Sequence, residues 1–253
     1  YLNFERELTP PETDGLRELI KRRGHREPLQ HIIGSTSFCG CEIKSTAAAL
    51  VPRPETEQLV ELGWQFLSTL KHQPLTALDF GTGTGCIAIA LAVKCPAAKI
   101  TAIDVSADAL ELAKQNAADN KVAELIEFIH GDGFSTLQQA SQFDLIISNP
   151  PYIATADIET LQREVRDFDP RAALDGGADG LDFYRRLAKE ASAFLKPGGK
   201  IMVEFGDGQA DDIKTIFESV CKDFNAELVE FDGEKDHVHL LINYPPKVSI
   251  AKL

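Results

Sequence analysis

Basic residues are in short supply: 26 Lys and Arg against 39 Asp and Glu leave a formal net charge of −13. That balance repels a phosphate backbone, so extended DNA or RNA binding is excluded unless positive charge is sharply localised, and a protein substrate fits better. Long apolar runs are missing as well. No stretch approaches the ~18 residues of a membrane span, and no amino-terminal segment has the charged, apolar, small-residue order of a signal peptide, which makes the cytoplasm the expected compartment. Cysteine is scarce. Cys39, Cys41, Cys86, Cys95 and Cys221 are odd in number and lack paired C-x-x-C spacing, which disfavours both a disulfide framework and a zinc site, so no metal is assigned. There is neither an internal repeat nor a low-complexity tract.

What is present begins with Asn149-Pro150-Pro151-Tyr152, directly after the apolar run Phe143-Asp144-Leu145-Ile146-Ile147-Ser148. The pattern places a side-chain amide and backbone carbonyls at the carboxyl end of a strand, where an open α/β sheet binds its ligands. Prolines 150 and 151 lack N–H groups and hold the chain extended, which leaves the Pro150 carbonyl able to accept a hydrogen bond beside the Asn149 side chain. Two such acceptors suit a planar NH2 group: they would aim its lone pair and stabilise positive charge growing on nitrogen. A strand followed by a plain Pro-Pro turn is the alternative.

A second motif lies upstream. Thr76 to Phe80 is a predicted buried strand, Gly81-Thr82-Gly83-Thr84-Gly85 a glycine loop, and Cys86 to Val93 an apolar helix ended by Lys94 and Pro96. Glycines let the backbone approach an adenosine-type cofactor where side chains would block it. Lys99 to Ile103 is the next strand, and Asp104 ends it about 20 residues past the loop, the position where a carboxylate grips ribose hydroxyls. Ser106 caps a helix through Asn120; Ile126 to His130, Phe143 to Ser148 and Lys200 to Phe205 are further strands, the last after the turn Lys196-Pro197-Gly198-Gly199. Strands alternating with helices predict a mostly parallel sheet with helices on both faces.

The first 30 residues read as helical, with Thr13 or Asp14 as cap and Gly24 as stop, and as the end of a helical domain whose earlier part is missing. Residues 31 to 54 alternate around Gly40 as a β-hairpin linker, and Pro54 opens a helix carrying Leu59, Val60, Trp64 and Leu67. The basic cluster Arg17, Lys21, Arg22, Arg23, His25 and Arg26 could face an acidic partner or an RNA, or be a solvated helix face.

Taken together, the glycine loop, Asp104 and Asn149 to Tyr152 resemble a class I S-adenosylmethionine-dependent methyltransferase of Rossmann-like fold with a seven-stranded sheet. Arg26-Glu27-Pro28-Leu29-Gln30-His31-Ile32-Ile33-Gly34, then Phe38 and Gly40, then Val51-Pro52-Arg53-Pro54-Glu55-Thr56-Glu57 resemble the linker of the peptide chain release factor glutamine N5-methyltransferases. His31 stands where that family usually has tyrosine, and Gly133 where an aromatic often covers the adenine. The resemblance implies S-adenosylmethionine as cofactor and release factors as partners. It implies that residues 81–85 hold the methionine part, Asp104 the ribose, and Asp132 with Gly133 the adenine side. Asn149 and Pro150 would hold the substrate glutamine amide and carry catalysis, Asn149 also facing the cofactor, with Pro151 and Tyr152 as a wall against the substrate. Domains follow: 1–30 a remnant of a helical substrate-recognition domain, 31–54 the linker, 55–253 the methyltransferase domain.

Rival expectations are a nucleic-acid adenine N6-methyltransferase, which shares the Asn-Pro-Pro-Tyr logic but conflicts with the charge, and a ribosomal-protein glutamine methyltransferase, for which Pro-Arg-Ser-Pro is expected instead of Pro-Arg-Pro-Glu-Thr. A third is an inactive cofactor-binding remnant fused to a mobile-element fragment. From Glu227 onward the chain departs from the methyltransferase pattern, and Asp236-His237-Val238-His239-Leu240-Leu241-Ile242-Asn243-Tyr244-Pro245-Pro246-Lys247 resembles the His-hydrophobe-His segment of small single-strand transposases. His237 and His239 share one face of a predicted strand, a geometry for two metal ligands. An ordinary divergent last strand is the alternative, and the apolar alternation suits either.

Overall fold

Side chains alternate along each central strand, and this period of two sorts the apolar residues into two cores. Ala77, Ile100, Ala102, Leu145, Ile147 and Met202 point one way, toward Leu59, Val60, Leu67 and the wholly buried helix face from Cys86 to Ala92. Leu78, Phe80, Ile103, Ile146, Ile201 and Val203 point the other way, toward Tyr184, Leu187, Ile213 and Phe217.

The computed structural model describes residues 6–223, 227–233 and 237–243. The chain enters through α1 (Pro10–Gly24) and α2 (Leu29–Ile33), makes a hairpin of β1 (Ser35–Phe38) and β2 (Cys41–Lys44), and continues into α3 (Pro54–Thr69). The sheet domain follows as β3 (Leu75–Phe80), α4 (Cys86–Lys94), β4 (Ala98–Asp104), α5 (Ala107–Asp119), β5 (Ile126–His130) and β6 (Phe143–Ser148). Then come α6 (Arg163–Arg166), α7 (Asp182–Glu190), β7 (Leu195–Glu204), α8 (Ala210–Asp223), β8 (Glu227–Gly233) and β9 (His237–Asn243). The seven strands lie in the order β5-β4-β3-β6-β7-β9-β8. The first five are parallel, and β9 and β8 add antiparallel partners at one end. This is the expected mostly parallel sheet with helices on both faces, its parallel part five strands wide.

Several expected boundaries move. The cap of α1 is Thr9, not Thr13 or Asp14: Pro10 and Pro11 suit the first helical positions, and the Glu12 carboxylate accepts hydrogen bonds from the Thr9 N–H and hydroxyl, each at 2.9 Å. A short α2 precedes the hairpin and stops at Gly34, whose φ of +92° only glycine adopts readily. Ser106 does cap α5, accepting from the Ala109 N–H at 3.2 Å. The expected turn at residues 196–199 is absorbed into β7, as a shift in its pairing with β6 between Phe143 and Leu145. The basic cluster of α1 is largely engaged: Arg23 and Arg26 meet Glu164 at 2.8 and 3.2 Å, Arg22 pairs with Glu27, and Arg17 with Asp14. Residues 1–5 of the helical remnant, Asp236, Tyr244 to Lys247 and the side chains of His237 and His239 lie outside the described residues. The metal reading of that histidine pair is therefore an expectation only.

Asp79, the next-to-last residue of β3, lies on the face of α4 and is fully buried. Its Oδ2 accepts from the Thr82 hydroxyl at 2.6 Å and the Ala88 N–H at 3.1 Å, tying the glycine loop to the helix after it, while Oδ1 has no partner among the described residues. Burial pushes its carboxyl up to about 7, against the pull of those two donors. Because the folded value is raised, the contribution of Asp79 to stability is full below about pH 4 and is lost as pH rises through about 7. Between pH 5 and pH 8 the stability of the wild type relative to Asp79→Asn should fall by ~2–3 kcal/mol, at ~1.4 kcal/mol per pH unit up to the folded value. Urea unfolding of both proteins at the two pH values measures it; a difference that stays constant would rule out the raised value. Gly85 at the start of α4 has φ +81°, and a Cβ there would lie 3.0 Å from the Ala113 Cβ on α5. Gly85→Ala should cost about 1–3 kcal/mol in the same assay from backbone strain and crowding together.

Candidate active site

Parallel strands that start side by side also finish side by side, and four of them finish around one cavity. The chain leaves β3 and moves outward through β4 to β5, then returns to the other flank of β3 as β6. Loops from β3 and β6 consequently diverge at their carboxyl ends, the crevice where sheets of this kind take ligands. A cavity of about 310 Å³ opens there, with Gly81 and Gly83 beyond β3, Asp104 at the end of β4, Asp132 and Gly133 beyond β5, and Asn149, Pro150 and Pro151 beyond β6 in its walls.

The loop after β3 turns on glycines. Gly81, Gly83 and Gly85 all have positive φ, and the Gly81 and Thr82 N–H groups both reach back to the Ile103 carbonyl at 2.9 Å. A Cβ on Gly81 would meet nothing within 4 Å, so what that position lacks is open cavity wall. Asp104 bridges the neighbouring turns: its Oδ2 accepts from Gly83 N–H and its Oδ1 from Ser106 N–H, both at 2.8 Å. A carboxylate oxygen can take more than one donor, so Asp104 keeps acceptor capacity toward the cavity. Thr82, Thr84 and Gly85 do not line the cavity. Thr82 and Thr84 are buried beneath the loop, the first on Asp79, the second with its carbonyl held by Asn116 at 2.9 Å.

At the end of β6, Asn149 donates from Nδ2 to the Thr56 hydroxyl oxygen at 3.0 Å. No donor reaches Asn149 Oδ1 or the Pro150 carbonyl among the described residues. The two acceptors expected from the sequence are thus both available at the cavity wall. Tyr152 stands apart from Asn149, Pro150 and Pro151. It is half-buried against the core around Leu78 and Tyr184, its carbonyl accepts from Gln209, and it is not part of the cavity lining.

Beyond β5, Gly133 has φ +70°, and a Cβ there would come within 2.5 Å of the Arg186 Nη2 and 2.7 Å of the Phe80 Cζ. The space that an aromatic at 133 would need is filled by a guanidinium from α7. Arg186 pairs with the Asp132 carboxylate and carbonyl and sits 6.0 Å over the Phe80 ring, which holds its plane at the cavity edge.

Residues outside the expected set also build the site. Ala48, Ala49 and Leu50 close one side, and Pro170, Ala172 and Ala173 another. Arg53 holds these two segments together through Asp169 at 2.9 Å. Burial pushes the Asp169 carboxyl up to about 6, although Arg53 and the Val51 N–H pull it down. Sequence offered one signal for this wall, the Pro-Arg-Pro-Glu-Thr motif, but nothing that named Asp169 as its partner.

Comparison with known protein families gives three matches. A family model for the methyltransferase small domain covers residues 60–167, one for the PrmC N-terminal domain residues 1–34, and one for IS200-like transposases residues 203–253. A solved methyltransferase structure from Pyrococcus furiosus is similar in fold, with a TM-score of 0.56 and 20% identity over 92% of this chain and 99% of that one. The release factor glutamine methyltransferase of Koribacter versatilis is 42% identical over 212 residues, 84% of this chain and 74% of that protein. The protein of the same name from Geobacter sulfurreducens is 45% identical over 231 residues, 90% of this chain and 78% of its own length. Similarity of that degree, along most of both chains, places this protein in the release factor glutamine methyltransferase family.

Proposed function

We propose that this protein methylates the side-chain amide nitrogen of the glutamine in the Gly-Gly-Gln motif of peptide chain release factors, using S-adenosylmethionine, in the cytoplasm where those factors work. The observation that carries it is the pair of available acceptors, Asn149 Oδ1 and the Pro150 carbonyl, at the wall of a cavity whose other wall is a glycine loop. The residues present suit that cofactor. The missing side chain of Gly81 leaves room for close approach, Asp104 offers carboxylate oxygens to hydroxyls, and Phe80 with Arg186 offers an aromatic edge and a guanidinium plane beside Asp132 and Gly133 for a purine. S-adenosylmethionine, when bound, supplies an electrophilic methyl group on a sulfonium sulfur.

The chain's own task is to make a poor nucleophile serviceable. A glutamine side-chain nitrogen has its lone pair delocalised into the carbonyl, as in a peptide bond. By accepting both N–H hydrogens, Asn149 and Pro150 push density back onto nitrogen, fix the direction of its lone pair and stabilise the positive charge that grows there. Positioning and electrostatics then suffice without a strong general base, and the surplus N–H proton can leave to solvent after transfer. For the rest of the chain, we assign residues 1–30 to substrate recognition. α1 carries Leu16, Leu19 and Ile20 exposed on its surface, as a protein-binding helix does, and the amino-terminal family match supports the assignment. Residues 227–253 are proposed to be of mobile-element origin and to serve as the last strands, a reading favoured by the transposase-like match and by the pairing of β9 with β7.

Methyl label from S-adenosylmethionine should enter a release factor bearing the Gly-Gly-Gln loop and should fail to enter the same factor with its glutamine changed to alanine. Asn149→Ala should lower kcat by about 10²–10³-fold while leaving cofactor affinity within a few-fold. Label that persists in the glutamine-free factor would defeat the assignment; cofactor binding with no transfer at all would mean an inactive remnant. Arg186→Ala should weaken cofactor binding by about 5- to 10-fold, as loss of an aromatic or guanidinium face does, and calorimetry with S-adenosylhomocysteine reads this without turnover. Unchanged affinity would remove Arg186 from the purine site.

A further inference from the structure

An asparagine amide can present either its oxygen or its nitrogen to a ligand, and only the oxygen can accept the N–H of another amide. Resting on the acceptor role given above to Asn149, we propose that Thr56 and Glu204 form a positioning relay that decides which end of that amide faces the cavity. Asn149 Nδ2 lies 3.0 Å from Thr56 Oγ1, and Thr56 Oγ1 lies 2.6 Å from Glu204 Oε2. Thr56 and Glu204 are both buried, so water does not compete for the bond between them. A hydroxyl has one proton. Given to the carboxylate, an acceptor-only group, it leaves Thr56 only lone pairs to offer Asn149, and lone pairs accept Nδ2–H but repel Oδ1. The oxygen is thereby turned outward, beside the Pro150 carbonyl. A reversed amide would set its own N–H donors against the N–H donors of the incoming amide and leave the Thr56 lone pairs unmatched.

Each member of the relay is anchored in a different element. Thr56 sits in the first turn of α3, where its N–H bonds the Arg53 carbonyl at 3.2 Å, and Arg53 is in turn held by Asp169. Glu204 ends β7, with its carbonyl accepting from the buried Tyr184 hydroxyl at 2.7 Å. Asn149 follows β6, the immediate neighbour of β7 in the sheet. Thr56 is therefore a positioning residue: it faces Asn149, not the cavity, and is absent from the lining.

The test compares Thr56→Val, which keeps the shape and removes the hydroxyl, with Thr56→Ser, which keeps the hydroxyl. A third variant, Glu204→Gln, can still accept through Oε1. Three readouts apply: kcat and KM on a release factor, cofactor affinity by calorimetry, and hydrogen exchange of the Asn149 side-chain amide by ¹⁵N NMR, the resonance being assigned by its loss in Asn149→Ala. Thr56→Val should lower kcat by about 10- to 100-fold with KM and cofactor affinity within about threefold, and Thr56→Ser should restore kcat to within about threefold of wild type. Glu204→Gln should also stay within about tenfold of wild type. In the wild type one Nδ2 proton of Asn149 should exchange slowly, and in Thr56→Val both should exchange at solvent-like rates. Near-normal kcat in Thr56→Val, equal impairment in Thr56→Ser, or a parallel fall in cofactor affinity would overturn the relay. The NMR measurement on the wild type stands by itself should Thr56→Val not fold, and fast exchange of both protons there would overturn the relay too. It also separates the two ideas: a wild type that shows the protected proton but methylates no release factor sinks the proposed substrate and leaves the relay intact.

Discussion

Parallel pairing of β3 with strands on both of its sides is the constraint on which everything else depends. Because β4, β3 and β6 run the same way in close register, Asp104, the loop from Gly81 and Asn149 emerge at one level. Strand order then reverses direction at the junction of β3 and β6, and the loops part to leave a crevice whose rim is backbone. The apolar residues that hold this register, among them Ala77, Leu78, Leu145 and Ile146, are buried and form no part of the cavity wall. They fix the distance between two groups of atoms, one suited to a cofactor and one to an amide.

A rim of backbone needs something to hold its shape, and here carboxylates do so. Asp79 holds the loop to α4 from below, and Asp104 holds it to the start of α5 from the side. Their environments differ. Asp79 is fully buried, so its charge is opposed by desolvation; Asp104 stands at the cavity edge and spends its oxygens on backbone N–H groups. Asp169 repeats the buried arrangement on the opposite wall, with Arg53 as counter-charge and one oxygen without a partner among the described residues. Carboxylates placed so deeply cost stability and are compensated by the large apolar cores on either side of the sheet.

How much of this could be read in advance follows from the range of each interaction. The five parallel strands, the glycine loop, the Ser106 cap and the acceptors at Asn149 and Pro150 depend on neighbours in sequence and were legible. The Thr9 cap was missed because α1 begins at Pro10, well before Leu16, where the apolar pattern that marks the helix in the sequence starts. The site's supporting contacts were not legible for another reason: Thr56 and Asn149 are 93 residues apart, Thr56 and Glu204 148, Arg53 and Asp169 116. Such pairs exist only once the sheet has formed. Gly133 is the instructive case. Its lack of a side chain read as a gap at the adenine position, yet the space is filled by Arg186 and Phe80, which no local pattern connects to it.

The carboxyl-terminal strands show the converse. In α/β sheets an edge left open is a liability, so something must cover β7, but the covering strands need only suitable alternation and register. β9 meets that need: it pairs antiparallel along β7 from Lys200 to Glu204, with His237 opposite Glu204. Every residue in the cavity wall lies at or before Arg186, and the last member of the relay is Glu204 itself. A segment of different ancestry can therefore take the place of the final strands without supplying any group to the cavity wall or the relay, provided that it holds β7 in place. What it must preserve is the backbone position of Glu204, because through Thr56 that position reaches the amide at Asn149.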